Sequence, residues 1–135
     1  MIRFFVAGKP KTKGSPSILR GRGGRPFVRE SDDERAWEEA IRAEAYSAVA
    51  REGWVHPHAV CVRLAFVCQA PVNPRAKSQS PASKPHGDID KLSRACLDAM
   101  QGVLYRDDFQ VTKLEAVKMV SAATPAGVWI EVSAA

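Results

Sequence analysis

The sequence lacks any hydrophobic run long enough to cross a membrane. Spanning the hydrocarbon core of a bilayer takes about 20 apolar residues, and no segment of the 135 residues approaches that length. The opening stretch, MIRFFVAGKPK, has too short an apolar run for a secretory signal peptide and shows no small-residue cleavage pattern. We therefore expect a cytoplasmic protein with no membrane partner, built as one domain over residues 1–135.

Cysteine and the common catalytic motifs are also scarce. The three cysteines, Cys61, Cys68 and Cys96, are odd in number and form no CxxC pair, which argues against a disulfide framework and against a zinc finger. We expect them to be small buried hydrophobic residues. No P-loop, GxGxxG, HExxH or nucleophile-elbow pattern is present, so none of those enzyme classes is indicated.

Two segments, residues 9–29 and 71–87, contain no acidic residue, in a chain of net charge +5. The first holds Lys9, Lys11, Lys13, Arg20, Arg22, Arg25 and Arg29, and the second holds Arg75, Lys77 and Lys84. Basic, Gly/Pro/Ser-rich segments suit a phosphate backbone, because each neutralised phosphate releases counterions. The alternative is a pair of solvated, flexible loops that keep the protein soluble. The charge pattern favours nucleic acid.

The hydrophobic patterns predict the order β-α-β-α-β-β. The predicted elements are a strand at 2–8, a long basic loop, a helix from a capping box at Ser31 to about Arg51, a strand at 59–69, an irregular surface loop at 70–87, a helix at 88–101 with Gly102 at its C′ position, and strands at 111–120 and 127–133. Because the helices are too few for a doubly wound sheet, we expect an α+β fold in which a small mixed sheet packs with two main helices.

The second predicted helix has two distinct sides. Its apolar side carries Leu92, Ala95, Cys96, Ala99 and Met100, and its polar side carries Asp90, Lys91, Arg94, Asp98 and Gln101. The tryptophans Trp54 and Trp129 are expected in the core, whereas Tyr105, beside an acidic turn, is a candidate for DNA contact.

Carboxylates occur in pairs at both ends of this helix. Asp88 and Asp90 lie at its start, and Asp107 and Asp108 follow it after a short connection. Carboxylate oxygens are the ligands that Mg²⁺ prefers, and a cation among them beside a basic surface suits phosphodiester hydrolysis. The alternative is structural: an N-cap aspartate, a surface ion-pair ladder and plain turn residues. Composition and spacing leave both interpretations open.

Residues 87–119, GDIDKLSRACLDAMQGVLYRDDFQVTKLEAVKM, resemble the RusA-type Holliday-junction resolvases. That family is described by an Asp-x-Asp-Asn-Leu-x-Lys run, a Leu/Phe-Asp-Ala-Leu helix, a Trp/Tyr-x-Asp-Asp-x-Gln-Val turn and a strand with Lys-Met. Asp88, Asp90 and Leu92 match the first element, LDAM and YRDDFQV match the next two, and Lys118 with Met119 matches the last. The opening GKPKTKGSP is similar to the family's Gly-, Pro- and Lys-rich start.

The resemblance implies that Asp88, Asp90 and Asp108 bind a catalytic Mg²⁺, for which Mn²⁺ can substitute. Arg94 stands where the family has lysine and Lys91 where it has asparagine. Arginine effectively stays charged, so Arg94 suits stabilisation of phosphate charge better than proton transfer. Lys91 and Lys118 are assigned to DNA contact together with the basic segments.

The function that the resemblance implies is resolution of four-way DNA junctions by a Mg²⁺-dependent endodeoxyribonuclease in recombination and repair. A homodimer is expected, because a junction has approximate two-fold symmetry. Two alternatives remain open: a non-catalytic DNA-binding or architectural module, and a general nuclease for branched DNA.

Overall fold

The computed structural model describes residues 1–13, 17–20, 26–29 and 32–135, with the backbone alone for the two short ranges 17–20 and 26–29. Its elements are β1 (Ile2–Ala7), β2 (Ser17–Arg20), β3 (Pro26–Arg29), α1 (Asp32–Glu52), β4 (Val60–Gln69), α2 (Ile89–Met100), β5 (Val111–Ser121) and β6 (Gly127–Ala134). None of the helices in this part of the chain is long and apolar enough to cross a membrane.

The main sheet has four strands in the order β1-β6-β4-β5. Strands β4 and β5 run parallel, because α2 crosses from the end of one to the start of the other, and the two remaining pairs are antiparallel. Both helices pack on one face of this sheet. The structure thus confirms the α+β class, the mixed sheet and the two main helices.

The core lies between that face and the apolar sides of the helices. Alternate strand residues point inward, and the inward positions of β4 include the fully buried Val60, Val62 and Phe66. All five residues of the predicted apolar side of α2 are buried, as predicted: Leu92, Ala95, Cys96, Ala99 and Met100. Full burial of one large apolar side chain contributes about 1.5–3 kcal/mol, so the position of α2 on the sheet is strongly determined.

The basic segment after β1 is more structured than predicted. Strands β2 and β3, which were expected to be part of a long loop, form an antiparallel hairpin in which Ser17 pairs with Arg29 and Arg20 with Pro26. Each strand has two adjacent apolar residues, and a Gly-rich stretch separates them. Two apolar residues per strand, in a segment rich in arginine, are too short a pattern to predict a strand. Ser31, the predicted helix cap, lies outside the described residues.

The loop at 70–87 contains two single turns of 3-10 helix, at Lys77–Gln79 and Lys84–His86. Gln79 Nε2 donates to the carbonyl oxygens of Pro71 at 3.0 Å and Asn73 at 3.1 Å. His86 Nε2 lies 2.6 Å from the carbonyl oxygen of Ser78. The prediction that this loop holds no regular structure was therefore wrong at these turns, which its own side chains tie together.

Candidate active site

Asp88 immediately precedes α2, but its carboxylate does not cap the helix. The backbone is extended there, at φ −82° and ψ 134°, and the side chain makes no capping hydrogen bond. The carboxylate is largely exposed and lies 3.4 Å from the ammonium group of Lys91. The structural alternative, a simple N-cap aspartate, therefore does not describe Asp88.

Gly87 allows three segments to meet just before α2. Its φ is +80°, and a Cβ there would lie 2.6 Å from Cγ2 of Thr12, so only glycine fits. Its carbonyl oxygen accepts a hydrogen bond from Lys118 Nζ at 2.7 Å. The start of α2 is thus held between the N-terminal segment and β5.

An open groove of about 630 Å³ lies at this end of α2. Asp88, Asp90 and Lys118 contribute its charged groups, and Pro81, Ala82 and Ile89 complete the lining. The groove therefore places two carboxylates and an ammonium group on one surface. Carboxylate oxygens of this kind suit a hard divalent cation, and the lysine suits a phosphate.

The acidic turn after α2 is held by a glutamine. Gln110 Oε1 accepts hydrogen bonds from the backbone nitrogens of Arg106 at 2.7 Å and Asp107 at 3.0 Å. Asp107 Oδ1 in turn accepts from Gln101 Nε2 at 3.3 Å. Asp107 thus helps to fix the turn to the end of α2, which gives its carboxylate a structural role.

Asp108 faces the side of α2. Partial burial raises the pKa of its carboxyl group. The pKa is raised further by the negative charge of Asp98, by a hydrogen bond with Asp98, and by the negative charge of Asp107. The charge of Arg94 opposes this shift. Since Arg94 lies one helical turn after Asp90 and one turn before Asp98, it stands between the groove and Asp108.

The structure does not gather the three predicted metal ligands around one point. Among residues 1–13 and 32–135, whose side chains are described, no three His, Cys, Asp or Glu side chains form a group that could hold a metal ion. Asp88 and Asp90 share the groove, whereas Asp108 does not line it and makes a hydrogen bond to Asp98, which lies about two helical turns after Asp90. The donor chemistry of the first two fits Mg²⁺, and the role of Asp108 as a ligand stays a prediction.

Comparison with known proteins decides the family. A family model described as "Endodeoxyribonuclease RusA" matches residues 7–133, nearly the whole chain. The chain belongs to the RusA endodeoxyribonuclease family. Comparison with curated protein sequences gives no match. The RusA match includes the groove, the acidic turn and α2, and it supports nuclease activity on DNA.

The basic residues expected to contact DNA in this RusA-family chain lie in different settings. Lys9, Arg75, Lys77, Lys84 and Lys91 are exposed, and Lys11 and Lys118 are half-buried. Arg22 and Arg25 lie outside the described residues, as do the side chains of Arg20 and Arg29. The exposed lysines and Arg75 are the positions best placed to reach a phosphate backbone.

Lys13 has partners that the sequence did not reveal. Its ammonium group lies 2.9 Å from Glu38 Oε1 and 3.1 Å from Asp98 Oδ2, and its backbone nitrogen donates to the carbonyl oxygen of Lys91 at 3.0 Å. Burial alone would lower the pKa of Lys13, but the hydrogen bonds and charges of Glu38 and Asp98 outweigh burial and raise the pKa. Asp98 therefore pairs with Lys13, a residue 85 positions earlier in the chain.

Two aromatic residues differ from their predicted positions. Tyr105 is fully buried, and its hydroxyl group donates to the carbonyl oxygen of Leu97 at 2.6 Å, so it does not contact DNA. Trp129, expected in the core, is 40% exposed on the sheet face opposite the helices. The alternation along β6, with buried Val128 and Ile130 on either side, would have placed Trp129 outward.

Proposed function

We propose that this RusA-family protein is a Mg²⁺-dependent endodeoxyribonuclease that resolves four-way DNA junctions in recombination and repair. It would act as a cytoplasmic homodimer, each copy being one domain over residues 1–135. The observation that carries the proposal is the groove in which Asp88, Asp90 and Lys118 line one surface, inside the part of the chain that matches the family.

The metal would be held by Asp88 and Asp90, with Asp108 as a third ligand. When bound, Mg²⁺ supplies charge neutralisation at the phosphate and a lowered pKa for a water molecule; Mn²⁺ would substitute for it. Lys118, already held by the carbonyl oxygen of Gly87, would fix one phosphate oxygen in the groove. Arg94 would place a permanent positive charge beside Asp108, where negative charge on the phosphate needs stabilisation.

DNA affinity would come from the basic side chains around the groove. Arg75, Lys77 and Lys84 belong to the folded loop that supplies Pro81 and Ala82 to the groove wall. A duplex arm lying against this loop would therefore enter the groove. Each phosphate contact adds a salt-dependent increment of affinity, so junction binding would weaken steeply as salt rises.

The test is an incubation of purified protein with a labelled synthetic four-way junction, with and without Mg²⁺. We expect paired, symmetric nicks that need the metal, and weaker cleavage of a duplex and a flap of the same sequence. Equal cleavage of the flap would favour the general branched-DNA nuclease. Binding without any nick, in Mg²⁺ and in Mn²⁺, would favour the architectural module.

Asp108→Asn tests the assignment of the third ligand. We expect cleavage to fall by more than about a hundredfold, because loss even of a group that only supports a ligand costs 10–100-fold. Junction binding should stay equal or improve, because a negative charge is removed. Asp33→Asn, an exposed position in the first turn of α1, is the matched control and should cleave like the wild type. Full activity of Asp108→Asn would remove Asp108 from the site.

A further inference from the structure

The acidic turn after α2 carries an exposed aromatic ring. Phe109 directly follows Asp108 and is 79% exposed. Among residues 1–13 and 32–135, whose side chains are described, it is the most exposed aromatic residue. A ring with so little burial adds little to the stability of the fold. Since single exposed apolar side chains are common on protein surfaces, a function for Phe109 has to be argued from its surroundings.

A depression of about 420 Å³ lies beside Phe109. It is lined by residues 106, 107, 109 and 110 of the turn and by residues 56–58, which lead into β4. It has no lining residue in common with the groove of Asp88 and Asp90. The depression is therefore a second feature of the surface, separate from the groove but next to Asp108 in the chain.

Hydrogen bonds fix the walls of this depression. Gln110 Nε2 donates to the carbonyl oxygens of Pro57 at 3.1 Å and His58 at 3.0 Å, which ties the turn to the segment before β4. His56 Nε2 lies 2.8 Å from the carbonyl oxygen of Val103 and donates to it, because a carbonyl oxygen can only accept. Since the walls are held before a ligand arrives, little conformational entropy is lost on binding.

The polar surroundings of Phe109 include a cation and two imidazole rings. Arg106, His56 and His58 are exposed, and arginine can bind phosphate through two parallel hydrogen bonds. The lining also includes the carboxylate of Asp107, whose Oδ1 already accepts a hydrogen bond at 3.3 Å from the end of α2. Proteins bind single-stranded DNA with aromatic rings beside basic groups, because bases stack on the rings and phosphates bind the cations.

We propose that Phe109 stacks against an unpaired nucleobase of the bound DNA while Arg106 binds a phosphate of the same strand. This site deepens the proposed function and rests on it, because its ligand is branched DNA. The Cα atoms of Phe109 and Asp108 are about 3.8 Å apart, as in any two consecutive residues. With Asp108 at the metal, the ring would therefore stand beside a nucleotide next to the scissile phosphate.

A branch point supplies the base that such a ring needs. In an intact duplex each base is paired and stacked on both sides, and removing it from the stack costs free energy. That cost is least for a base that is unpaired or mismatched. Because stacking is interrupted where the strands of a junction exchange, a base can leave the stack more easily there. Phe109 would thus increase the affinity for a junction and add little to the binding of a duplex.

The first test measures DNA binding by fluorescence anisotropy in EDTA, so that no cleavage occurs. Phe109→Ala should weaken binding of a four-way junction by about fivefold to a hundredfold, the range for loss of one base–aromatic stack. Binding of a duplex of the same sequence should not change. Phe109→Trp should keep the junction affinity, whereas Phe109→Leu should lose it, because leucine is apolar but has no ring to stack.

Tyr46→Ala is the matched control for these variants. It removes an aromatic ring that is 56% exposed on α1 and does not line the depression. We expect this variant to bind the junction and the duplex like the wild type.

The second test locates the base on the wild-type protein. Junctions with 5-iododeoxyuridine at single positions around the branch point are bound in EDTA and irradiated, then digested with nuclease and trypsin for mass spectrometry. Light breaks the carbon–iodine bond, and the uracil carbon bonds to a ring carbon of a stacked aromatic residue with loss of hydrogen iodide. We expect one position to crosslink to Phe109, in the peptide of residues 107–113.

Four results would each overturn the site. They are a junction affinity of Phe109→Ala equal to that of the wild type, an equal loss on the duplex, a Phe109→Leu variant that binds as tightly as the wild type, and crosslinks at other residues but none at Phe109. If the Tm of Phe109→Ala shows that this variant does not fold, the crosslink on the wild type decides. A protein that crosslinks at Phe109 but never nicks a junction in Mg²⁺ or Mn²⁺ would refute the nuclease activity alone.

Discussion

Replacing Lys13 with methionine removes the cation that joins α1 to α2 and keeps the aliphatic stem. Glu38 and Asp98, with side chains 17% and 27% exposed, would be left without the ammonium group that lies 2.9 Å and 3.1 Å from them. A hydrogen bond to a charged group contributes about 1.5–3 kcal/mol when well shielded. Because all three side chains keep some contact with water, we expect a total loss of about 2–3 kcal/mol.

This free energy converts into a measurable melting shift. The unfolding entropy is about 2.1 cal/mol/K per residue, and the chain has 135 residues. A loss of 1 kcal/mol in the free energy of unfolding therefore lowers Tm by about 3.5 °C. Lys13→Met should therefore lower Tm by about 7–10 °C in differential scanning calorimetry. The matched control is Lys113→Met, which breaks a 3.0 Å pair with Glu115 whose side chains are 59% and 46% exposed. Because water screens so exposed a pair, the Tm of Lys113→Met should lie within about 2 °C of the wild-type Tm.

The contribution of Lys13 to stability also depends on pH. A lysine whose folded-state pKa is raised stabilises the fold fully below its ordinary pKa of 10.5 and loses that contribution as pH rises towards the raised value. The stability gap between wild type and Lys13→Met should thus be constant from about pH 6 to 9 and narrow above about 10.5. If Lys13→Met melts no lower than Lys113→Met, the ion pairs of Lys13 with Glu38 and Asp98 contribute nothing to stability.

Three further predictions concern single positions. Arg94→Ala should lose most junction cleavage and Arg94→Lys should keep it, since either cation can stabilise phosphate charge; a fully active Arg94→Ala in the nicking assay removes the residue from the mechanism. Gly87→Ala should lower the free energy of unfolding by about 2 kcal/mol in urea titrations, because positive φ costs about 1–2 kcal/mol and the new Cβ meets Thr12; an unchanged midpoint contradicts this. Iodoacetamide should modify Cys61 alone in the native protein, as read by mass spectrometry, because burial raises the pKa of the other two thiols. Rapid native labelling of either buried cysteine would refute that assignment.

The helices and the main strands were predictable because their evidence is local. A period of 3.6 residues in α2 identifies five of the six residues that the helix buries, the exception being Ser93. The end of α2 was also predictable from a single residue, Gly102. Its φ is +83°, a conformation that glycine adopts without strain. The hairpin of β2 and β3 was not predicted, because each of its strands has only four residues and the segment is rich in arginine.

The candidate site was predictable only in part, because its contacts join residues far apart in the chain. The two carboxylates at the start of α2 were predicted as a metal site from their spacing and from the family resemblance, and the structure places both in one groove. The pairing of Lys13 with Glu38 and Asp98 depends on how α1 packs on α2, which no short sequence window contains. The position of Asp108 beside Asp98 follows from the way Tyr105, Gln101 and Gln110 fix the preceding turn.

The strand order has a consequence for biosynthesis. Strand β6 leaves the ribosome after β1, β4 and β5 and lies between β1 and β4, so neither β1 nor β4 can pair with it until synthesis of β6 is complete. Until then the nascent chain exposes the apolar sides of β1 and β4, a condition that favours chaperone binding and aggregation. A ribosome stalled before residue 127 should therefore hold a protease-sensitive chain.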